Sequence, residues 1–105
     1  MKTSELTGPA LDWAVAKCEG LKLKKFERKG PWYYAEADGV YRFIVGHTYS
    51  PSTDWAQGGP IIERERIGPD AALETFGQTF LVAALRTYVS AKLGEEVDIP
   101  AELKD

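Results

Sequence analysis

The sequence WYYAEADGVYRFIVG, residues 32–46, carries the strongest local structural signal in the chain. Two runs of aromatic and β-branched residues flank Asp38-Gly39, a dipeptide that suits a two-residue turn with positive φ. If these two residues form the turn, Ala37 faces Val40, and residues further from the turn pair in the same register. The pattern predicts an antiparallel β-hairpin.

The predicted register leaves both faces of the hairpin largely apolar. Its further pairs are Glu36 with Tyr41, Tyr34 with Phe43, and Trp32 with Val45. We expect helices to cover one face of the sheet, and a loop or a second subunit to cover the other. Because the two evident helices leave part of the apolar sheet surface uncovered, the sequence favours a homodimer that buries it.

The flanking segments predict an edge strand and two helices. Leu21 and Leu23 alternate with lysines, which is typical of a strand edge protected against aggregation. A helix over about residues 8–19 has Pro9 in its first turn and Gly20 just past its end. The length and the Ala and Leu content of FLVAALRTYVSAKL predict a second helix over residues 80–93, which Gly94 ends.

Residues 61–67 alternate apolar and charged side chains, as a short strand does. A helical turn is less favoured there, because the segment follows Gly-Gly-Pro. The sequence of residues 68–79 fits either a short helix or an irregular connection. The predicted fold class is therefore α+β: a small antiparallel sheet of edge strand, hairpin and the short strand near 61–67, packed by the two helices.

Length and composition predict a single folded domain over residues 1–105, with an acidic C-terminal tail at about 94–105. The chain is 44% hydrophobic, which is ordinary for a folded protein. Cys18 is the only cysteine and His47 the only histidine, so neither an internal disulfide nor a structural zinc site is expected. No apolar run approaches the ~20 residues that cross a bilayer, and no cofactor is expected. We expect a cytoplasmic protein.

Charge is distributed unevenly along the chain. Residues 22–29 carry five basic residues and one acidic residue, whereas residues 94–105 carry five acidic residues and one basic residue. The formal net charge is nonetheless −3. General nucleic-acid binding normally needs a broad basic face, so it is not expected.

The candidate site is the segment HTYSPSTDWAQGGPIIERER, residues 47–66. Its aromatic residues offer stacking faces, its glycines permit close backbone approach, and its arginines offer forked donors for an anion. A small phosphorylated ligand would use these groups together. The candidate ligand-binding residues are His47, Tyr49, Ser52, Thr53, Trp55, Gly58, Gly59, Arg64 and Arg66.

A purely structural interpretation of the same segment is equally open. Residues 51–54 then form a turn with side-chain caps, Trp55 packs on the hairpin, and residues 63–66 make exposed charge pairs. An enzyme is less favoured, although His47, Asp54, Glu63 and Glu65 could supply a general acid and base. Because no motif of a known catalytic class is present, no catalytic residue is predicted.

Three segments resemble the NinX-like family of small phage and prophage proteins. They are KTSELTGPALDWAVAKCEG, YSPSTDWAQGGPIIERE and LVAALRTYVSAKLGEEVDIPAEL, and the second is the most distinctive. Similar proteins carry additional residues after the IIERE phrase, where this chain has the short GPDAALETFGQTF. The resemblance implies a phage origin and an α+β fold, and it brings no catalytic residues.

The phage setting leads to three functional hypotheses. The first is a non-enzymatic protein that sequesters a nucleotide-like small molecule, such as a host defence signal, in the cytoplasm of an infected or lysogenic bacterial host. The alternative is an interaction module that binds a host or phage protein through the aromatic sheet or the closing helix. A small hydrolase is the third.

Overall fold

A three-stranded antiparallel sheet, with strand order β1-β2-β3, contains the hairpin. In the computed structural model, the described residues are 1–26, 32–37, 40–44, 49–67, 80–100 and 103. The strands are β1 (Lys22–Phe26), β2 (Trp32–Ala37) and β3 (Val40–Phe43). Tyr34 pairs with Phe43, Glu36 with Tyr41 and Ala37 with Val40, which are pairs that the sequence predicts. The Asp38-Gly39 turn, the Trp32–Val45 pair and residues 68–79 lie outside the described residues.

Helices and strands are both present, so the mixed class is confirmed. The described helices are a short 3-10 turn at Thr3–Glu5, α1 (Gly8–Cys18), α2 (Trp55–Glu65) and α3 (Phe80–Leu93). The two predicted helices correspond to α1 and α3. No helix in the described part of the chain is long and apolar enough to cross a membrane.

The core lies between α3 and the two helices that pack on it, α1 and α2. Leu11 and Val15 of α1 and Leu85 and Val89 of α3 are among its fully or almost fully buried side chains. Strand β1 packs against α1, which joins the sheet to the helices. Burial of these apolar faces is the main favourable contribution to folding.

The prediction of a strand near residues 61–67 is wrong, because these residues continue helix α2 and end it. Asp54 caps the helix, and its Oδ1 accepts a hydrogen bond from the backbone N–H of Ala56 at 2.9 Å. Gly58, Ile61 and Ile62, spaced three and four residues apart, form the buried face. Helical burial of this face outweighs the poor helix propensity of Gly58-Gly59-Pro60.

Gly58 is required where α2 approaches its neighbours. A Cβ at this position would lie only 2.3 Å from the backbone oxygen of Pro51 and 2.6 Å from Cδ1 of Leu81. Gly59 is different, because its Cβ would meet only Cε3 of Trp55, at an ordinary contact distance of 3.5 Å. Only the first of the two glycines is therefore needed for packing among the described residues.

Helix α2 ends in a left-handed residue. Arg66 has φ 56° and ψ 44°, its N–H donates to the carbonyl of Glu63, and the N–H of Ile67 donates to the carbonyl of Ile62. These two hydrogen bonds form a Schellman motif, which usually places glycine where Arg66 stands. The arginine backbone is strained there by about 1 kcal/mol.

The acidic tail is anchored at both its backbone and its apolar side chains. Val97 donates its N–H to the carbonyl of Met1 at 2.9 Å, and Thr3 Oγ1 donates to the carbonyl of Gly94 at 2.7 Å. Val97, Ile99 and Leu103 are buried in the core. Backbone hydrogen bonds therefore fix the described part of the tail to the start of the chain, and buried apolar side chains fix it to the core.

The two adjacent glycines should respond oppositely to alanine. Gly58→Ala should lower the free energy of unfolding by about 2 kcal/mol or more, because the new Cβ collides with backbone. Gly59→Ala should raise it by about 1 kcal/mol, because alanine favours the helix and meets no obstruction. Urea denaturation of both variants measures the difference. Equal effects of the two substitutions would contradict the close approach at Gly58.

Candidate functional site

The predicted site residues divide into buried and exposed groups. Tyr49, Ser52 and Gly58 are buried, and Gly59 is half-buried. Thr53, Trp55, Arg64 and Arg66 are exposed. His47 lies outside the described residues. The segment from Tyr49 to Arg66 therefore combines core packing with surface that a partner can reach.

A tight turn before α2 fixes the buried group. The N–H groups of Thr53 and Asp54 both donate to the carbonyl of Ser50, at 3.1 and 2.9 Å. Gln57 accepts from the N–H of Ser50 through its side-chain Oε1 at 3.0 Å. This turn agrees with the structural interpretation of residues 51–54, because the hydrogen bonds named here are made within the turn and the first turn of α2.

The side chain of Asp12, on α1, binds this turn from within the core. Asp12 is 1% exposed, and its Oδ1 accepts a hydrogen bond from the N–H of Ser52 at 2.8 Å. The hydroxyl of Ser52 is also buried, and it has no hydrogen-bond partner in the described structure. Sequence reasoning missed Asp12, although an aspartate between Leu11 and Val15 on a core-facing helix is a signal of a buried acceptor.

Tyr49 is only 7% exposed, so its ring is largely unavailable as a stacking platform. Burial raises the pKa of its phenol above the ordinary range, and the nearby carboxylates of Glu19 and Asp12 raise it further. Tyr49 is therefore a neutral core residue at physiological pH.

Arg64 joins three helices at the C-terminal end of α2. Its guanidinium donates to both carboxylate oxygens of Glu19, the C-cap of α1, and its Nη2 donates to the Tyr88 hydroxyl on α3 at 3.3 Å. Its Nε donates to Glu65 at 2.9 Å. The forked donors that the sequence offered to an anionic ligand are thus engaged by the protein's own carboxylates.

Glu19 is the acceptor at the centre of this network. Partial burial alone would raise the pKa of Glu19, but the hydrogen bonds from Arg64 and Tyr88 outweigh it and hold the pKa below 4.5. The Tyr88 hydroxyl also donates to Glu19, and burial together with this bond raises the pKa of Tyr88. The network therefore stabilises a carboxylate and a neutral phenol.

Trp55 begins α2 at the opposite end and stacks on Phe80, the first residue of α3. Their ring centroids are 6.1 Å apart and their planes differ by 13°. The stacked rings stay accessible, because Trp55 is 56% exposed and Phe80 is 38% exposed. Two large aromatic residues exposed side by side are unusual outside an interaction surface.

The aromatic and cationic groups of the predicted ligand site are far apart. Trp55 and Arg64 are nine positions apart in one helix, which separates their backbones by about 13 Å along its axis. A small nucleotide that stacked on Trp55 would not have Arg64 beside it. The structure thus places these two predicted contributors at opposite ends of α2.

Two observations on the described residues concern metal binding and the lone cysteine. They include no group of three or more His, Cys, Asp or Glu side chains that could hold a metal ion. Burial raises the pKa of the Cys18 thiol to about 11, with a smaller contribution from Glu19, so little thiolate forms at neutral pH. Cys18 is accordingly a poor nucleophile.

The family model for Bacteriophage P22, NinX matches residues 2–73, which is more than half of the chain. The chain belongs to this family. The resemblance to NinX-like proteins is thereby confirmed, and with it the assignment as a phage protein. The match includes α1, the sheet and α2, whereas α3 and the tail follow it. No curated protein matches the chain.

The buried hydrogen bond between Asp12 and Ser52 of this NinX-family protein can be tested by two substitutions. Asp12→Ala should lower the free energy of unfolding by about 2 kcal/mol, because the buried N–H of Ser52 loses its acceptor. Ser52→Ala should change it by no more than about 0.5 kcal/mol, because the lost hydroxyl has no partner to leave behind. Chemical denaturation measures both, and a larger loss for Ser52→Ala would contradict the arrangement.

The Glu19 network should make stability depend on acid pH. Because the pKa of Glu19 is lowered in the folded state, its contribution is complete above the unfolded value of 4.5 and is lost as pH falls through the lower folded value. Glu19→Gln should therefore cost about 1 kcal/mol at neutral pH and flatten the acid decline. Denaturation across a pH series measures this. Glu63→Gln is the control, and equal slopes for wild type and Glu19→Gln would oppose the assignment.

Proposed function

We propose that this phage protein is a non-enzymatic interaction module that binds a host or phage protein through the exposed end of α2. The Trp55–Phe80 stack is the observation that carries the proposal, because it leaves two large aromatic side chains accessible together. Tryptophan is among the residues that contribute most to protein interfaces. Binding, with no chemical turnover, is the mechanism.

The surface around the stack supports a protein partner. We define the aromatic patch as Thr53, Trp55, Ala56, Gly59, Pro60 and Phe80. These side chains carry no charge, and the half-buried carboxylate of Asp54, the cap of α2, lies beside them. The other end of the helix carries Glu63, Arg64, Glu65 and Arg66. An uncharged aromatic centre beside a charged margin is the usual composition of a protein interface.

Sequestration of a nucleotide-like molecule has weaker support. A base could still stack on Trp55, but Arg64 is bound to Glu19 and Glu65 at the far end of the helix. Tyr49 and Ser52 are buried, so they are poorly placed to contact a ligand. Binding of a partner protein in the host cytoplasm therefore fits the geometry better.

The proposal is tested by substituting the central aromatic residue. Wild type and variants carrying an affinity tag would be used to isolate partners from infected cells, and the affinity for each purified partner would be measured by titration. Trp55→Ala should weaken binding roughly 30-fold, equivalent to about 2 kcal/mol, as expected for a central aromatic anchor. A melting curve of each variant verifies that the fold is retained.

Phe43→Ala provides the matched control. Phe43 is 37% exposed, close to the value for Phe80, but it belongs to β3 and not to the aromatic patch. Loss of binding in Phe43→Ala with full binding in Trp55→Ala would move the interface to the sheet and refute the proposal. A melting-temperature increase with a nucleotide, abolished by Trp55→Ala, would favour the small-ligand hypothesis instead.

A further inference from the structure

Asp54 places a carboxylate next to the aromatic patch. The residue is half-buried, and it lies between the exposed Thr53 and Trp55 in sequence. Its Oδ1 accepts a hydrogen bond from the N–H of Ala56 at 2.9 Å, and its Oδ2 accepts one from Nε2 of Gln57 at 3.0 Å. Because each carboxylate oxygen can accept two hydrogen bonds, one acceptor site on each oxygen remains. Among the described residues, no lysine or arginine pairs with Asp54.

The dipole of α2 does not cancel this negative charge. The N-terminus of an α-helix carries about half a positive charge, whereas an ionised carboxylate carries a full negative charge. The nearest arginines in sequence, Arg64 and Arg66, lie at the other end of the helix, and the first of them is bound to Glu19 and Glu65. Within the described structure, the beginning of α2 is therefore negatively charged.

The Trp55 ring, on the residue after Asp54, is held by two contacts and is still accessible. It stacks on Phe80, and its Cε3 lies 3.5 Å from the position of a Cβ on Gly59. Trp55 is nevertheless 56% exposed. The face of a tryptophan ring attracts a cation more strongly than that of tyrosine or phenylalanine. The indole and the carboxylate on these two consecutive residues thus attract the same kind of group.

The other end of α2 contains the same two kinds of group with an arginine bound to both. Arg64 donates to both carboxylate oxygens of Glu19, and its Cζ lies 6.0 Å from the centroid of the Tyr88 ring. A carboxylate and an aromatic ring together therefore hold an arginine in this fold. Asp54 and Trp55 provide such a pair at the start of the helix, where the described residues supply no arginine.

We infer that Trp55 and Asp54 bind an arginine side chain that projects from the partner protein. The guanidinium packs on the exposed indole and donates to the carboxylate. Arginine fits better than lysine, because its planar group stacks on aromatic rings, donates forked hydrogen bonds and is more weakly hydrated. This inference rests on the proposed function and specifies the partner's chemistry.

The probe is a display library of random short peptides, selected on the wild-type protein and counter-selected on Trp55→Ala. The selected peptides should share an arginine. Replacing that arginine by citrulline, which has nearly the same shape and no charge, should weaken binding to wild type roughly tenfold. Peptides that share no arginine, or that bind equally well with citrulline, would overturn the inference, as would a library without binders.

Asp54→Asn removes the charge and keeps a cap, because asparagine caps a helix as well as aspartate does. This variant should bind the arginine peptides roughly tenfold more weakly, and citrulline should cause little further loss in it. Melting curves verify that the fold is retained. Glu63→Gln is the matched control, because it removes one exposed negative charge near the other end of α2 and should leave the affinity unchanged. Equal losses in the two variants would indicate unspecific attraction to an acidic protein and would contradict the assignment to Asp54.

Two further outcomes separate this inference from the proposed function. A full-length partner that depends on Trp55 and is indifferent to Asp54→Asn would leave the proposed function standing and refute the arginine. Wild type that elutes as a dimer in size-exclusion chromatography with light scattering, and becomes monomeric in Trp55→Ala, would assign the patch to a second copy of the chain and refute it too.

Discussion

The close approach of α2 at Gly58 is the constraint on which the position of the candidate site depends. A backbone oxygen of the preceding turn and the side chain of Leu81 occupy the space that any Cβ would need. The turn cannot withdraw, because Asp12 holds it at Ser52 from within the core. Once α2 is fixed at this point, one of its ends meets Glu19 and Tyr88, and the other carries Trp55 to Phe80.

Much of the fold could be predicted from residue patterns that act locally. The hairpin register depends on two turn residues and strand alternation, and α1 and α3 have apolar faces with clear ends. Helix α2 could not be assigned in the same way, because its central Gly-Gly-Pro opposes a helix and residues 61–67 also alternate as a strand does. The signals that favour the helix are Asp54 followed by Gln57, and the spacing of Gly58, Ile61 and Ile62. The close packing that makes Gly58 favourable is a long-range property.

The candidate site was predictable as a segment but not as an arrangement. Composition identifies residues 47–66 as unusual, and three of the predicted site residues, Thr53, Trp55 and Gly59, do belong to the aromatic patch. Composition does not reveal that Arg64 pairs with Glu19, which is 45 positions earlier in the chain. Nor does it separate a buried Ser52 from an exposed Thr53, because both are small hydroxyl residues in one turn. Burial and pairing arise from tertiary contacts, so the roles of these residues follow only from the three-dimensional structure.

The two ends of α2 differ in how far their side chains are already bound within the protein. At the charged end, Arg64 is already bound by carboxylates and a phenol, so an external partner would have to compete with a formed network. At the other end, the aromatic surface of Trp55 and Phe80 remains exposed. Two poor helix formers, the half-buried Gly59 and the exposed Pro60, lie beside it. A fold under selection for stability alone would replace Gly59 and Pro60, since alanine suits an exposed helix better. Their presence beside Trp55 supports the proposal that this end of α2 binds a partner.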